Sequence, residues 1–129
     1  MSKTTNSIKK IFNLSSIGPK PRKKSQLWMK DVGFDEAPWY RERMGLRELE
    51  DFLEVADNRI DHVKITTLQV LGHPKEWLER KIKLYKKHSI QPYLDHGYFL
   101  KAFKMGKVNE AIDAAADLGF SAMEFMNTF

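Results

Sequence analysis

Apolar and polar positions along this 129-residue chain change their period several times, and each change marks an element. Residues 26–32 (QLWMKDV) are a brief apolar run closed by Gly33, which predicts a strand followed by a loop containing "DEAP". From Leu46 to Ala56 the apolar residues are Leu46, Leu49, Phe52, Leu53 and Ala56, the stripe of an amphipathic helix. "IDHVKIT" at 60–66 predicts a second strand. Pro74 stands where a first helical turn tolerates proline, and Trp77, Leu78, Ile82 and Tyr85 carry a helical stripe through 75–88. "SIQPYLD" at 89–95 predicts a third strand, despite Pro92. A helical region over 98–118 breaks near Gly106, presents Val108, Ile112 and Ala115 on one face, and stops at Gly119. Residues 120–127 (FSAMEFMN) predict a fourth strand.

Strands alternating with helices are the pattern of parallel βαβ units, so the fold class is α/β. The right-handed crossover puts the C-terminal ends of such strands on one edge, where parallel sheets and (β/α)₈ barrels carry their chemistry. Asp31, Lys64, Asp95 and Glu124 fall late in the four predicted strands, 33, 31 and 29 residues apart, with Asn127 just beyond. A βα unit of a barrel takes roughly 30 residues, so these side chains are expected in one polar arc at the rim. Three carboxylates and an ammonium suit a hard cation such as Mg²⁺ and leave the lysine for proton transfer or an anionic substrate. The competing reading is that strands end in polar residues because they run into solvent, where an Asp caps the next helix. Among the histidines, His96 beside Asp95 is the candidate site residue. His62 and His88 read as packed or solvated, and His73 has no evident partner. Trp28, Trp77, Phe99 and Phe103 sit at core-like positions.

Charge divides the chain unevenly. The formal net charge is +5, yet residues 1–24 hold seven basic side chains and no acid, leaving the remainder slightly acidic. Residues 1–18 lack a sustained apolar period and are expected to be a flexible basic arm. Nucleic-acid binding through it would be weak and salt-dependent. The same composition faintly suits a transit peptide, although such peptides favour Arg and residues 1–24 have one. Cysteine is absent, which excludes a disulfide scaffold and thiolate metal sites. With no apolar run of transmembrane length and no secretory pattern, the expected location is the cytoplasm.

The ordered set "KPRKK" leading into a strand that ends at Asp31 and Gly33, "LEDFLEVADNRIDHVK", "LERKIKLYKKHSI" and "AADLGFSAMEF" resembles the phosphosulfolactate synthase family, linked to coenzyme M biosynthesis, over residues 19–129. The resemblance implies a TIM-type (β/α)₈ barrel lyase that adds sulfite to phosphoenolpyruvate with Mg²⁺. It implies Lys64 as the catalytic residue and Glu124 and Asp31 as candidate metal ligands; Asp95, His96 and Asn127 are the substrate-binding candidates by their place at the rim. The chain departs from the family pattern at Val32, where a lysine is usual. It departs again at Asp95 and His96, which take glycine positions, at Leu100, which takes a glutamate position, and after Glu124. Four strands make half a barrel, which is expected to be part of a longer protein or to pair with another copy. The alternative function is a non-catalytic, barrel-derived binding or assembly module with a basic arm.

Overall fold

The structure, a computed structural model, describes residues 18–34 and 44–125, together with 8 and 10–12. The basic arm therefore lies almost wholly outside the described residues, as does Asn127. Four parallel strands form one sheet: β1 (Trp28–Asp31), β2 (His62–Ile65), β3 (Gln91–Leu94) and β4 (Ala122–Met123). Their order is sequential, β1-β2-β3-β4. Between them run α1 (Leu46–Ala56), α2 (Thr67–Gly72), α3 (Lys75–Lys87), α4 (His96–Lys104) and α5 (Val108–Leu118). Sequential order with right-handed crossovers places all the helices on one side of the sheet. Among the described residues the other side is left open.

The register defines both faces. Met29, Val63 and Pro92 align across the sheet, as do Asp31, Ile65, Leu94 and Met123, and these positions face the helices. There Val63, Ile65 and Leu94 pack with Leu49 and Leu53 of α1, Leu78, Ile82 and Tyr85 of α3, and Ala115 of α5. Truncating a core leucine such as Leu53 to Ala would cost roughly 2–5 kcal/mol. Trp28, His62 and Gln91 align on the open face, followed one layer up by Lys30, Lys64, Tyr93 and Ala122.

The helix at 46–56 matches its sequence expectation, as does the break of the third helical region around Gly106. Gly119 ends α5 at φ +105°, and a Cβ there would meet Ile82 Cγ2 at 3.0 Å, so both backbone and packing require glycine. The helix α2 was not expected, because six residues are too short to display a helical stripe. Strand β4 is much shorter than the predicted 120–127: only Ala122 and Met123 pair with β3. The aromatic expectation fails in part. Trp28 and Phe103 are 55% and 53% exposed, while Trp77 and Phe99 are only partly buried. Trp28 faces the uncovered side of the sheet, where it stacks on His62 with ring centroids 3.9 Å apart. His73 does have partners: its Nε2 accepts the Phe34 N–H at 3.2 Å, and its ring lies 5.0 Å from that of Trp77.

The "KPR" approach to β1 is tied to the opposite end of the sheet from the rim. Arg22 Nε donates to Asp61 at 3.0 Å, Arg22 Nη1 donates to the Asn58 carbonyl at 2.7 Å, and Lys20 Nζ donates to the His88 carbonyl at 3.0 Å. These two positive charges hold the chain in place ahead of β1. Among the described residues no helix is long and apolar enough to cross a membrane.

Candidate active site

At the C-terminal edge of the sheet, three elements converge on one carboxylate. Lys64 Nζ, projecting from β2 on the open face, donates to Glu124 Oε2 at 2.9 Å. Glu124 follows β4 directly, held by the bond from its own N–H to the Leu94 carbonyl at 2.7 Å. Its Oε1 lies 2.8 Å from His96 Nδ1 and accepts the His96 backbone N–H at 3.2 Å. His96 opens α4, so its N–H is one of the helix-start donors that need an acceptor outside the helix, and Glu124 supplies it. Asp95, the N-cap position of that helix, accepts a hydrogen bond from the Thr67 hydroxyl at the start of α2. Tyr93 lies beside Lys64 in register.

Electrostatics bind this group together. Burial alone would raise the Glu124 carboxyl, but hydrogen bonds from Lys64 and His96 outweigh it and hold the group at about 2, below the ordinary 4.5. The hydrogen bond to Glu124 in turn raises the Lys64 ammonium above its usual value, against partial burial, and the Asp95 charge adds to the effect. Lys64 thus stays charged across the physiological range. Burial pushes the Tyr93 phenol up, so it remains a neutral hydrogen-bonding group.

A pH dependence follows. Because the folded-state value of Glu124 is depressed, its stabilisation is complete above about 4.5 and fades as pH falls toward about 2. Lys64 and Glu124 are 25% and 28% exposed, so solvent screening limits the gain to about 1 kcal/mol. Unfolding free energies of the native chain and Glu124→Gln should therefore differ at pH 7 and converge near pH 2–3. A difference that persists unchanged at low pH would show that the carboxylate charge is not what stabilises.

Of the residues expected in the arc, Lys64, Asp95, His96 and Glu124 come together, and Asp31 does not. Asp31 faces the helices and is fully enclosed. Lys81 Nζ lies 3.0 Å from both of its oxygens, the Tyr85 hydroxyl donates to Oδ2 at 2.6 Å, and the Gly33 N–H donates to Oδ1 at 2.8 Å. A strand's alternation explains the misplacement: Lys30, one residue earlier, is the β1 residue in register with Lys64. Gly33 closes this corner at φ +56°, where a Cβ would come within 2.5 Å of Gln69 Oε1. Thr67, Tyr93 and the buried Lys81 went unrecognised in the sequence. Tyr93 alone left a signal, its even spacing from Asp95 along the strand.

Among the described residues no group of three or more His, Asp or Glu side chains gathers as a preformed metal site. Of the two acids expected as metal ligands, Glu124 stands at the rim and Asp31 is enclosed with Lys81 on the other face of the sheet. The chemistry of the remaining donors still suits Mg²⁺, which is commonly held by one or two carboxylates with water and substrate oxygens completing the shell. Glu124 and Asp95 both stand within electrostatic reach of Lys64. They are the two acids that would hold the ion.

Comparison with known proteins gives this geometry a context. The phosphosulfolactate synthase of Methanothermobacter thermautotrophicus is 26% identical over 108 residues, a stretch covering 84% of this chain and 38% of the relative. The chain thus spans well under half the length of that curated relative. Residues 16–129 match the profile of the family described as (2R)-phospho-3-sulfolactate synthase (ComA). With nearly all of the described strands and helices inside the match, the chain belongs to the (2R)-phospho-3-sulfolactate synthase family.

Proposed function

We propose that the chain supplies the first four strands, with the helices between them, of a TIM-type barrel lyase of the phosphosulfolactate synthase type, which joins sulfite to phosphoenolpyruvate on the way to coenzyme M. The observation that carries this reading is the convergence of Lys64, Glu124 and His96 on the open face at the C-terminal edge of a sequentially ordered parallel sheet. In a closed barrel that face is the interior, and that edge is where catalytic side chains gather.

In the proposed reaction the sulfite sulfur attacks the methylene carbon of phosphoenolpyruvate. The C–S bond forms as the C=C electrons move toward the carboxylate, and the carbon bearing phosphate then takes a proton. Lys64, kept charged by Glu124, is positioned to bind the substrate's anionic groups and to hold the proton that is delivered. Glu124 fixes both the lysine and the His96 ring. Since Nδ1 of His96 is engaged by Glu124, Nε2 is the ring atom available to a substrate oxygen. Asp95 and Asn127 would complete the contacts to substrate. Mg²⁺, held by Glu124 with Asp95, would supply Lewis-acid stabilisation of the negative charge that develops on the carboxylate. A closed barrel would come from further βα units in the same chain or from a second copy, and the location expected for such an enzyme is the cytoplasm.

The reading is tested by assaying C–S bond formation from phosphoenolpyruvate and sulfite in a protein of the relative's full length that carries this segment. Product dependent on both substrates supports it; absence of product from a folded protein refutes it. A separate measurement addresses the ion. Mn²⁺, used as a paramagnetic probe for Mg²⁺, should broaden signals around Glu124 and Asp95 in the native protein and lose that effect in Glu124→Gln. Broadening centred instead on Asp31 would place the metal elsewhere.

A further inference from the structure

At the end of the sheet opposite the rim, a cavity of about 310 Å³ opens between the approach to β1 and the starts of β2 and β3. Its wall includes Lys20, Arg22, Asp61, Lys86, Ser89 and Gln91. Lys20, Arg22 and Lys86 line it with one carboxylate, Asp61, which is already satisfied by Arg22 Nε at 3.0 Å and the Leu27 N–H at 2.8 Å, while Asp57 acts on Lys20 from outside the lining. The cavity keeps an excess of positive charge.

Two further features point to a ligand. The Arg22 side chain is only 9% exposed, yet its Nη2 is buried without a hydrogen-bond partner. Buried guanidinium donors are ordinarily satisfied, so this end of the Arg22 side chain, in the cavity wall, lacks an acceptor. The Lys86 side chain makes no hydrogen bond or ion pair with the other described residues, although its carbonyl accepts from the Ser89 N–H. Burial and the neighbouring Arg22 push the Lys20 ammonium down, against the pull of Asp57 and Asp61.

We propose that this cavity binds a small doubly charged oxyanion, of the size and chemistry of phosphate, with Lys20, Arg22 and Lys86 supplying the charge. An anion would neutralise the two cations left over after Asp61 is counted and would bring an acceptor to the wall that holds the Arg22 guanidinium. Ser89 and Gln91 add neutral polar groups at the mouth of β3. Four residues of strand separate the cavity from the rim, roughly 13 Å. It is therefore a second site and does not rest on the proposed lyase reaction.

The test is a thermal melt of the chain with inorganic phosphate, against sodium chloride at matched ionic strength. Phosphate at about ten times its dissociation constant should raise the midpoint by about 3–5 °C, saturably. Lys86→Gln changes an exposed, unpaired side chain and should fold normally while weakening phosphate about tenfold. Lys64→Ala, at the rim, should leave the shift intact. The proposal is overturned if the midpoint does not respond saturably beyond the chloride control. It is equally overturned if Lys64→Ala abolishes the shift and Lys86→Gln does not, since phosphate would then be binding at the rim.

Discussion

Lys81→Met is expected to destabilise the fold by about 3–5 kcal/mol, the usual consequence of removing one partner from a buried ion pair. The side chains of Lys81 and Asp31 are both 0% exposed. Lys81 donates to Asp31, to Gln69 Oε1 at 3.1 Å and to the Met44 carbonyl at 2.9 Å, and its ammonium lies 4.4 Å from the centre of the Trp77 ring. Methionine fills a similar volume but leaves the Asp31 charge enclosed, with only the Tyr85 hydroxyl and the Gly33 N–H to hold it. It also leaves two buried acceptors unpaired. A fall in thermal midpoint of roughly 10–20 °C should accompany the change. The double variant Asp31→Asn/Lys81→Met should lose clearly less than the sum of the singles, because the second substitution removes the charge that the first stranded. A loss below about 1 kcal/mol for Lys81→Met, or strict additivity in the cycle, would mean the pair is not energetically coupled. The network also spans the loop between β1 and α1: Lys81 contacts Asp31 before it and Met44 after it, and the Met44 N–H donates to the Gly33 carbonyl at 3.0 Å.

Lys64→Ala should have the opposite profile. In a protein of full family length it is expected to reduce turnover by about 10²–10⁴-fold, the range for losing a positioned proton-transfer group. Stability should change by no more than about 1 kcal/mol, because the Lys64–Glu124 pair is partly exposed on the open face. Lys64→Arg keeps the charge but not the compact ammonium geometry, and should recover substrate binding better than turnover. If Lys64→Ala costs several kcal/mol while the remaining activity per folded molecule is normal, the Lys64–Glu124 bridge is structural and the site lies elsewhere. Measuring both quantities on the same preparation separates the two roles. Lys81 and Lys64 are thus a matched pair: one lysine faces the helices and supports the fold, and the other faces the open side and reaches the rim.

The sequence by itself was enough to determine the α/β class, the positions of the main helices, and the return of a polar residue about every 30 positions at a strand end. Periodicity is a local property, and the apolar stripe of 46–56 or the glycine stop at 119 needs no distant partner to be read. The gathering of Lys64, Asp95, His96 and Glu124 was legible for the same reason, since parallel topology carries strand ends to one edge. The face on which a residue stands was decided by tertiary structure. A one-residue difference in strand register sends Asp31 toward Lys81 and leaves Lys30 beside Lys64, a distinction invisible to spacing in units of 30. Burial was decided at the same level. Lys81 reads in sequence as one more charge in a basic helix, and Trp28 as core, yet the lysine is enclosed and the tryptophan exposed. Whether a side chain meets a partner or solvent depends on which elements cover it, and among the described residues helices cover one side of the sheet alone.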